Sequence, residues 1–240
     1  MSNIRSKTKK AQDKRMEAII FDFDGTLYPS TAGIESQIVS RYQMCAEKRL
    51  ALPKNEVLSL LRRYREEYRS SVLGLQEHHG IDPFEFYNEL YDGLDISTIV
   101  PKPRLKDVLT ALSKVVPLYI LSNSNRSFVL RGLNHLGMQD LIKNVFTVED
   151  NNFIRKPHKE VYIATVNRLG ISAETIWMFD DIPSSLQTAK NVGFTTVLVG
   201  NGLRKSGFVD LHTRDEYEVA PEWCDYAAQD IAKFIDETIL

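Results

Sequence analysis

The chain has 240 residues, of which 43% are hydrophobic and 26% are charged, as expected for a globular protein that can bury a sizeable core. Its formal net charge of −2 gives no general attraction to nucleic acid or to an anionic membrane, and no apolar segment is long enough to cross a bilayer. The two cysteines, Cys45 and Cys224, lie far apart and do not form a metal-binding pair. We therefore expect a reduced, cytoplasmic protein without a nucleic-acid or membrane partner, in which Cys45 is a buried thiol.

The two ends of the chain carry opposite charge. Residues 1–15 contain six basic residues and one acidic residue, Asp13, whereas residues 210–240 are rich in Asp and Glu. The basic segment lacks the apolar stretch of a secretory signal. We predict a flexible, solvated terminus over residues 1–15.

The first predicted elements are one strand and a group of helices. Residues 18–21 form an apolar run that predicts a buried strand. Apolar residues then recur at helical spacing over residues 34–46, a second helix is predicted after Pro53, and a third begins at Asp82 and Pro83, where Asp82 can cap the helix. These segments predict a helical insert over residues 30–100.

From residue 117 onward, strands and helices alternate. Strands are predicted at residues 117–121, 145–148, 176–179 and 195–199, and helices at 125–136, 159–169 and 184–192. Continuous apolar strands that alternate with helices are typical of a parallel sheet covered on both faces, which is an α/β fold. The insert would overhang the C-terminal edge of this sheet, where open α/β folds bind ligands.

Polar residues follow three of the predicted strands: Asp22 and Asp24, then Ser122 and Asn123, then Asp180 and Asp181. Turn formation or helix capping would explain single members of this set, and a lone loop lysine such as Lys156 is normally solvated. Because the carboxyl ends of parallel strands share one edge, however, the carboxylates would converge and would need a cation, for which Mg2+ is suited. Carboxylates can also act as nucleophiles in phosphoryl transfer.

The motifs D-F-D-G-T-L, L-S-N-S, R-K-P and F-D-D, in this order, resemble those of the haloacid dehalogenase-like superfamily over residues 17–200. The resemblance implies a Rossmann-like core, formed by residues 16–29 and 101–240, with an all-helical cap over residues 30–100. It also implies that Asp22 is the nucleophile that forms an aspartyl-phosphate. Asp24 would act first as general acid and then as general base.

The same resemblance implies a set of binding residues. Mg2+ would be held by Asp22, the backbone carbonyl of Asp24 and Asp181, with Asp180 near or in its coordination shell. The phosphoryl site would comprise Thr26, which orients the loop, Ser122, Asn123 and Lys156. Lys156 would also be catalytic, because it restrains Asp22. Where the family often has Asp or Asn four residues after Asp181, this chain has Ser185, which weakens the support around the metal.

Further segments resemble the pyrimidine 5'-nucleotidase-like group: T-L-Y at 26–28, H-G-I-D-P-F-E-F-Y at 79–87, L-Y-D-G-L at 90–94 and V-P-K-P-R-L at 100–105. This resemblance implies that the substrate is a small phosphorylated metabolite of the nucleoside 5'-monophosphate class. Relatives often have His where this chain has Tyr91, a departure that bears on base preference. At helical spacing, Phe84, Tyr87 and Tyr91 are more simply explained as core residues than as a platform for a base.

Other functions stay open at this point. A sugar-phosphate phosphatase, a phosphoglycolate-type phosphatase or a phosphomutase would share every motif and differ in the cap. A haloacid dehalogenase is disfavoured, because the resemblance implies that such enzymes need no metal and typically lack the second acid, Asp24. A non-catalytic regulatory or binding protein is also disfavoured, since an idle cluster of buried carboxylates would only lower the stability of the fold.

Overall fold

The computed structural model describes residues 15–200, 208–209, 216–217 and 220–240. The predicted flexible terminus therefore lies outside the described residues, except for Arg15, and so does part of the acidic C-terminal segment. Within the described ranges, no helix combines the length and the apolar character that crossing a membrane would require.

A six-stranded parallel sheet forms the core. The described residues contain the strands β1 (Ala18–Phe21), β2 (Leu118–Leu121), β3 (Ile142–Phe146), β4 (Ile176–Asp180), β5 (Thr195–Val199), β6 (Phe208–Val209), β7 (Glu216–Tyr217) and β8 (Tyr226–Ala228). The large sheet has the order β3-β2-β1-β4-β5-β8, and the short strands β6 and β7 pair with each other. Phe21 of β1 is in register with Ile120 of β2 and Phe179 of β4. The strand that leads into the first carboxylate therefore lies inside the sheet.

Four helices follow β1 and form the helical insert: α1 (Ile34–Leu50), α2 (Lys54–Tyr68), α3 (Ser71–His79) and α4 (Pro83–Asp92). As predicted, Asp82 caps α4, because its side chain accepts a hydrogen bond from the Glu85 N–H at 2.9 Å. The parallel sheet and the all-helical insert confirm the predicted fold class. The predicted domain boundaries near residues 30 and 100 stay a prediction.

In the part of the chain that the structure describes, five further helices cover the two faces of the sheet: α5 (Pro103–Leu112), α6 (Arg126–His135), α7 (Lys159–Leu169), α8 (Pro183–Val192) and α9 (Ile231–Thr238). Side chains of β1 alternate between the faces, so Ile19 and Phe21 join one buried cluster while Ala18 and Ile20 join the other. The first cluster includes α5, α6, α9 and the helical insert, and the second includes α7 and α8. The insert thus packs on one side of the sheet and reaches its C-terminal edge.

Sequence reasoning missed α3, α5, β8 and α9. An interior glycine, Gly74, makes α3 hard to recognise, because glycine disfavours helix formation. The packing requires it, since a Cβ on Gly74 would lie 2.3 Å from Cγ of Tyr64 on α2. The strand predicted at 145–148 begins earlier, at Ile142, and ends before Thr147, whose N–H donates to Asp150 at 2.8 Å and turns the chain.

Two predictions about buried side chains can be compared with the structure. Tyr87 and Tyr91 are buried as expected, but Phe84 is 54% exposed, so its assignment to the core was wrong. Phe84 instead lies at the surface against Phe153, with ring centroids 4.8 Å apart. Cys45 and Cys224 are both buried and unpaired with each other, which confirms the expectation for Cys45.

Candidate active site

The chain segments after β1, β2 and β4 bring the predicted carboxylates to one edge of the sheet. Asp22 and Ser122 follow the last residues of β1 and β2, and Asp180 is the last residue of β4. These strands are neighbours, and the chain order reverses at β1, which is where open α/β sheets form a ligand crevice. The polar strand ends therefore meet in space as the parallel topology predicts.

Lys156 joins the first and third of these strand ends. Its ammonium donates to Oδ1 of Asp22 and to Oδ2 of Asp180, both at 2.7 Å, and all three side chains are at least nine-tenths buried. Burial lowers the pKa of Lys156, but Asp180 and Asp22 outweigh it and raise that pKa overall. Lys156 therefore stays charged and balances two buried carboxylates.

Asn123 holds the segment that carries Lys156. Its side-chain oxygen accepts from the Lys156 N–H at 2.7 Å, and its side-chain amide donates to the Lys156 carbonyl at 3.1 Å. These two bonds lock the backbone of Lys156 to the loop after β2. Asn123 also lines the cavity of the site, and its assignment to phosphate binding stays a prediction.

Asp24 has a different environment, made of hydroxyl groups. Its Oδ1 accepts from the Tyr28 hydroxyl, and its Oδ2 accepts from Ser124 at 2.6 Å and more weakly from Ser122 at 3.4 Å. Burial raises the pKa of the Asp24 carboxyl, while Ser124 and Tyr28 partly offset that rise. Sequence reasoning did not assign Tyr28 or Ser124, although Ser124 stands two residues after Ser122 in the same motif.

Asp181 approaches the backbone of the first loop at Gly25. Gly25 has a φ of +80°, and a Cβ at this position would lie 2.1 Å from Oδ2 of Asp181. Only glycine allows both this conformation and this contact. Burial raises the pKa of Asp181 well above its ordinary value, and the adjacent Asp22 and Asp180 raise it further.

Three carboxylates form a cluster that can bind a metal ion. Asp22, Asp180 and Asp181 each offer an oxygen, and these atoms all lie within 4.8 Å of one another. Both oxygens of Asp180 are engaged, because Oδ1 accepts from the Ile182 N–H at 2.8 Å and Oδ2 binds Lys156. Oδ1 of Asp181, in contrast, is buried and has no hydrogen-bond partner in the described part of the chain. A buried carboxylate oxygen without a donor, next to other carboxylates, fits a cation.

The remaining predicted residues lie around this cluster. Thr26 is fully buried. Ser185, at the position where an acid or amide was expected, is buried, and its carbonyl accepts from the Tyr162 hydroxyl at 2.8 Å. Ser185 also lines the cavity, so the departure from the family pattern lies at the site itself.

A cavity of about 430 Å³ connects the carboxylates with the helical insert, a volume that suits a small molecule. Its floor contains Asp22, Asp24, Asp181 and Lys156, and the insert contributes residues of α1, the end of α2 and the start of α3, together with Tyr91 of α4. A substrate in this cavity would contact both the sheet edge and the insert.

The cavity wall also carries arginines. Arg155 has an Nε atom that is buried without a hydrogen-bond partner among the described residues. Arg65 of α2 also lines the cavity, and the positive charges of the two arginines lie close enough to repel each other. In the described part of the chain neither of them forms an ion pair, whereas Arg69 is paired with Glu160. Glu35 is the acidic residue that the insert contributes to the wall. The wall therefore offers guanidinium donors to a bound molecule.

Comparison with known proteins gives one family match. The family model described as haloacid dehalogenase-like hydrolase matches residues 16–193. This match spans β1 to the end of α8 and includes all the carboxylates described above.

Individual relatives are distant. Phosphate metabolism protein 8 of Saccharomyces cerevisiae is 25% identical over 199 residues, which are 78% of this chain and 62% of that protein, so the chain spans less than two thirds of its length. A phosphorylated carbohydrates phosphatase of Thermotoga maritima is 23% identical over 76% of this chain and 84% of its own. The solved structure of the HAD-hydrolase YfnB from Bacillus subtilis, bound to magnesium, has a TM-score of 0.56 at 17% identity and covers 95% of this chain and 100% of its own. It shows the shared fold.

Proposed function

Because the chain belongs to the haloacid dehalogenase-like hydrolase family, we propose that it is a Mg2+-dependent phosphatase that cleaves phosphomonoesters through an aspartyl-phosphate on Asp22. The observation that carries this proposal is the contrast between two acids only two residues apart. Asp22 is paired with the buried Lys156 ammonium at 2.7 Å, whereas Asp24 is bound by hydroxyls. A fixed cation beside Asp22 favours the ionised form that a nucleophile needs. Asp24 has no cation within hydrogen-bond distance in the described part of the chain, and burial raises its pKa, which favours the protonated form that a general acid needs.

The two acids divide the reaction between them. An oxygen of Asp22 attacks phosphorus, and the bond from phosphorus to the leaving oxygen breaks as Asp24 gives its proton to that oxygen. Asp24 then takes a proton from the water that attacks the aspartyl-phosphate, which releases inorganic phosphate and restores Asp22. Each step uses a carboxyl group that the structure places at the sheet edge.

The surrounding residues position and neutralise charge. The Lys156 ammonium has three donors, of which two bind Asp22 and Asp180, so one is left for a phosphoryl oxygen. We assign metal binding to Asp22, Asp181 and the backbone carbonyl of Asp24, with Asp180 alongside, and phosphoryl binding to Thr26, Ser122, Asn123 and Lys156. Mg2+ held there would neutralise charge on the transferring phosphoryl group.

The test is hydrolysis of p-nitrophenyl phosphate by wild type and by Asp22→Asn. We expect Mg2+-dependent turnover that EDTA stops in the wild type and none in the variant, with both proteins folded by circular dichroism. Asp82→Asn is a matched control, because asparagine also caps helices and Asp82 is exposed at the start of α4; it should keep full activity. Turnover by Asp22→Asn would refute the nucleophile, and activity in EDTA would refute the metal.

For the substrate we propose nucleoside 5'-monophosphates. The segments T-L-Y at 26–28, H-G-I-D-P-F-E-F-Y at 79–87 and L-Y-D-G-L at 90–94, which resemble the pyrimidine 5'-nucleotidase-like group, support this choice. The cavity of about 430 Å³ suits a ligand of this size. We further propose that residues 30–100 act as the cap that selects this small phosphorylated metabolite, and that the enzyme works in the cytoplasm.

A second candidate is a sugar-phosphate or phosphoglycolate-type phosphatase, and one observation favours the phosphoglycolate type. Arg155 and Arg65 lie at the cavity without an ion-pair partner in the described ranges, and a guanidinium binds a carboxylate well. Values of kcat/KM for UMP, CMP, dTMP, IMP, phosphoglycolate and hexose phosphates separate the two candidates. The nucleotide proposal expects a nucleoside monophosphate to be preferred, and a preference for phosphoglycolate or a hexose phosphate would refute it.

A further inference from the structure

A chain of hydroxyl groups connects the helical insert with Asp24. The Tyr91 hydroxyl, at the end of α4, donates to Oγ of Ser124 at 3.2 Å. Ser124 in turn donates to Oδ2 of Asp24 at 2.6 Å. Tyr91 and Ser124 are each 3% exposed, so the bond between them is shielded from competition by bulk water.

Both hydrogen bonds in this series of hydroxyl groups are donated in the direction of Asp24. Each hydroxyl carries a single proton, and the proton of Ser124 is committed to Asp24. Tyr91 therefore supplies its own proton to Ser124, which is left as donor to the carboxylate. Ser124 is held from a second side, because its N–H donates to Oγ of Ser122 at 3.0 Å. The orientation of Ser124 is thus set by two neighbours, and one of them belongs to the insert.

Tyr91 is itself fixed independently of its hydroxyl. Its carbonyl accepts from Arg131 of α6 at 2.9 Å. Its ring lies 5.3 Å from Phe128 of α6 and stacks on Tyr87 at 5.7 Å. A phenylalanine at this position would keep these ring contacts, so the hydroxyl can be removed without disturbing the packing.

We propose that Tyr91 is a positioning residue, whose hydroxyl acts through Ser124 to hold the Asp24 carboxyl in the orientation required for proton transfer to the leaving oxygen. This inference rests on the proposed function, because it takes Asp24 to be the general acid of that reaction. It gives Tyr91 a task other than stacking on a base. It also makes correct placement of the insert a condition for efficient proton transfer.

The test compares Tyr91→Phe with wild type on two substrates of similar shape, p-nitrophenyl phosphate and phenyl phosphate. Nitrophenolate leaves readily without a proton, whereas phenolate depends on a general acid. We measure kcat/KM, because it covers the steps up to phosphoryl transfer to Asp22. Tyr91→Phe should lower kcat/KM about three- to tenfold for phenyl phosphate, the loss of one hydrogen bond, through kcat and not KM. It should leave p-nitrophenyl phosphate unchanged.

Two further variants complete the design. Tyr87→Phe removes a hydroxyl from the same aromatic stack and should leave both substrates unchanged. Ser124→Ala should produce a larger leaving-group effect than Tyr91→Phe, and the double variant should be no worse than Ser124→Ala, because both residues act through one chain.

The possible outcomes distinguish a wrong role for Tyr91 from a wrong proposed function. An equal loss on both substrates, additive effects in the double variant, or no loss on phenyl phosphate would overturn the role of Tyr91 while leaving the phosphatase intact. A wild-type protein without Mg2+-dependent turnover of either substrate would overturn the proposed function and this inference together.

Discussion

Replacing Gly25 by alanine tests whether Asp181 belongs to the proposed metal site. Gly25 has a φ of +80°, and the new Cβ would lie 2.1 Å from Oδ2 and 2.6 Å from Cγ of Asp181. To reach ordinary contact at 3.4 Å, the carboxylate has to retreat by about 1.3 Å. Metal–ligand distances lie within about 0.2 Å of their ordinary values, far less than this retreat. Asp181 should therefore be lost as a ligand.

The expected magnitudes follow from two separate effects. An L-residue in the left-handed region costs about 1–2 kcal/mol, which corresponds to about 2–8 °C in Tm for a chain of this size. Displacement of the ligand should weaken the apparent Mg2+ affinity about 10- to 100-fold, as the loss of groups that orient a ligand does elsewhere. Gly25→Ala should thus lower both Tm and Mg2+ affinity.

The assay is a Mg2+ titration of p-nitrophenyl phosphate hydrolysis, together with thermal unfolding. Gly170→Ala is the matched control, because Gly170 has a φ of +66° and no atom within 4 Å of its Cβ position. The control should lose a similar Tm and keep the wild-type Mg2+ half-saturation. An unchanged half-saturation in Gly25→Ala would refute the placement of Asp181 at the metal.

Two other predictions concern the charged centre. Asn123→Ala removes both bonds to the Lys156 backbone, so we expect a loss of about 2 kcal/mol in the free energy of unfolding and a lower kcat. Asn123→Asp keeps the acceptor and should lose less stability when both variants are unfolded in urea. Equal losses in the two variants would contradict this explanation. Burial outweighs Lys156 and raises the pKa of Asp180 from 3.8 to about 6. Between these values the folded state binds more protons than the unfolded state, so without Mg2+ the stability contributed by Asp180 should fall as pH rises from about 4 to 6. The Tm difference between wild type and Asp180→Asn, followed over this range, checks the sign, and an increase with pH would refute it.

The sequence by itself determined the fold class and the location of the acids. Apolar runs that end at Asp22, Ser122 and Asp180 predict buried parallel strands, and parallel strands place their carboxyl ends at one edge for a purely topological reason. Local patterns also predicted the cap of α4 by Asp82. They failed at α3, where Gly74 is explained only by its contact with Tyr64 on another helix.

Only the tertiary structure decided how each acid is held. Key partners lie far away in the chain, since Ser124 is 100 residues from Asp24 and Lys156 is 134 residues from Asp22. Spacing along a sequence carries no information about hydrogen bonds across such distances. For the same reason Tyr87, Tyr91 and Phe84 look alike as aromatic residues of one helix, yet packing buries the first two and leaves Phe84 exposed. The chemistry proposed for the site follows from residue types, while the environment on which the proposed role of each acid rests comes from contacts made by folding.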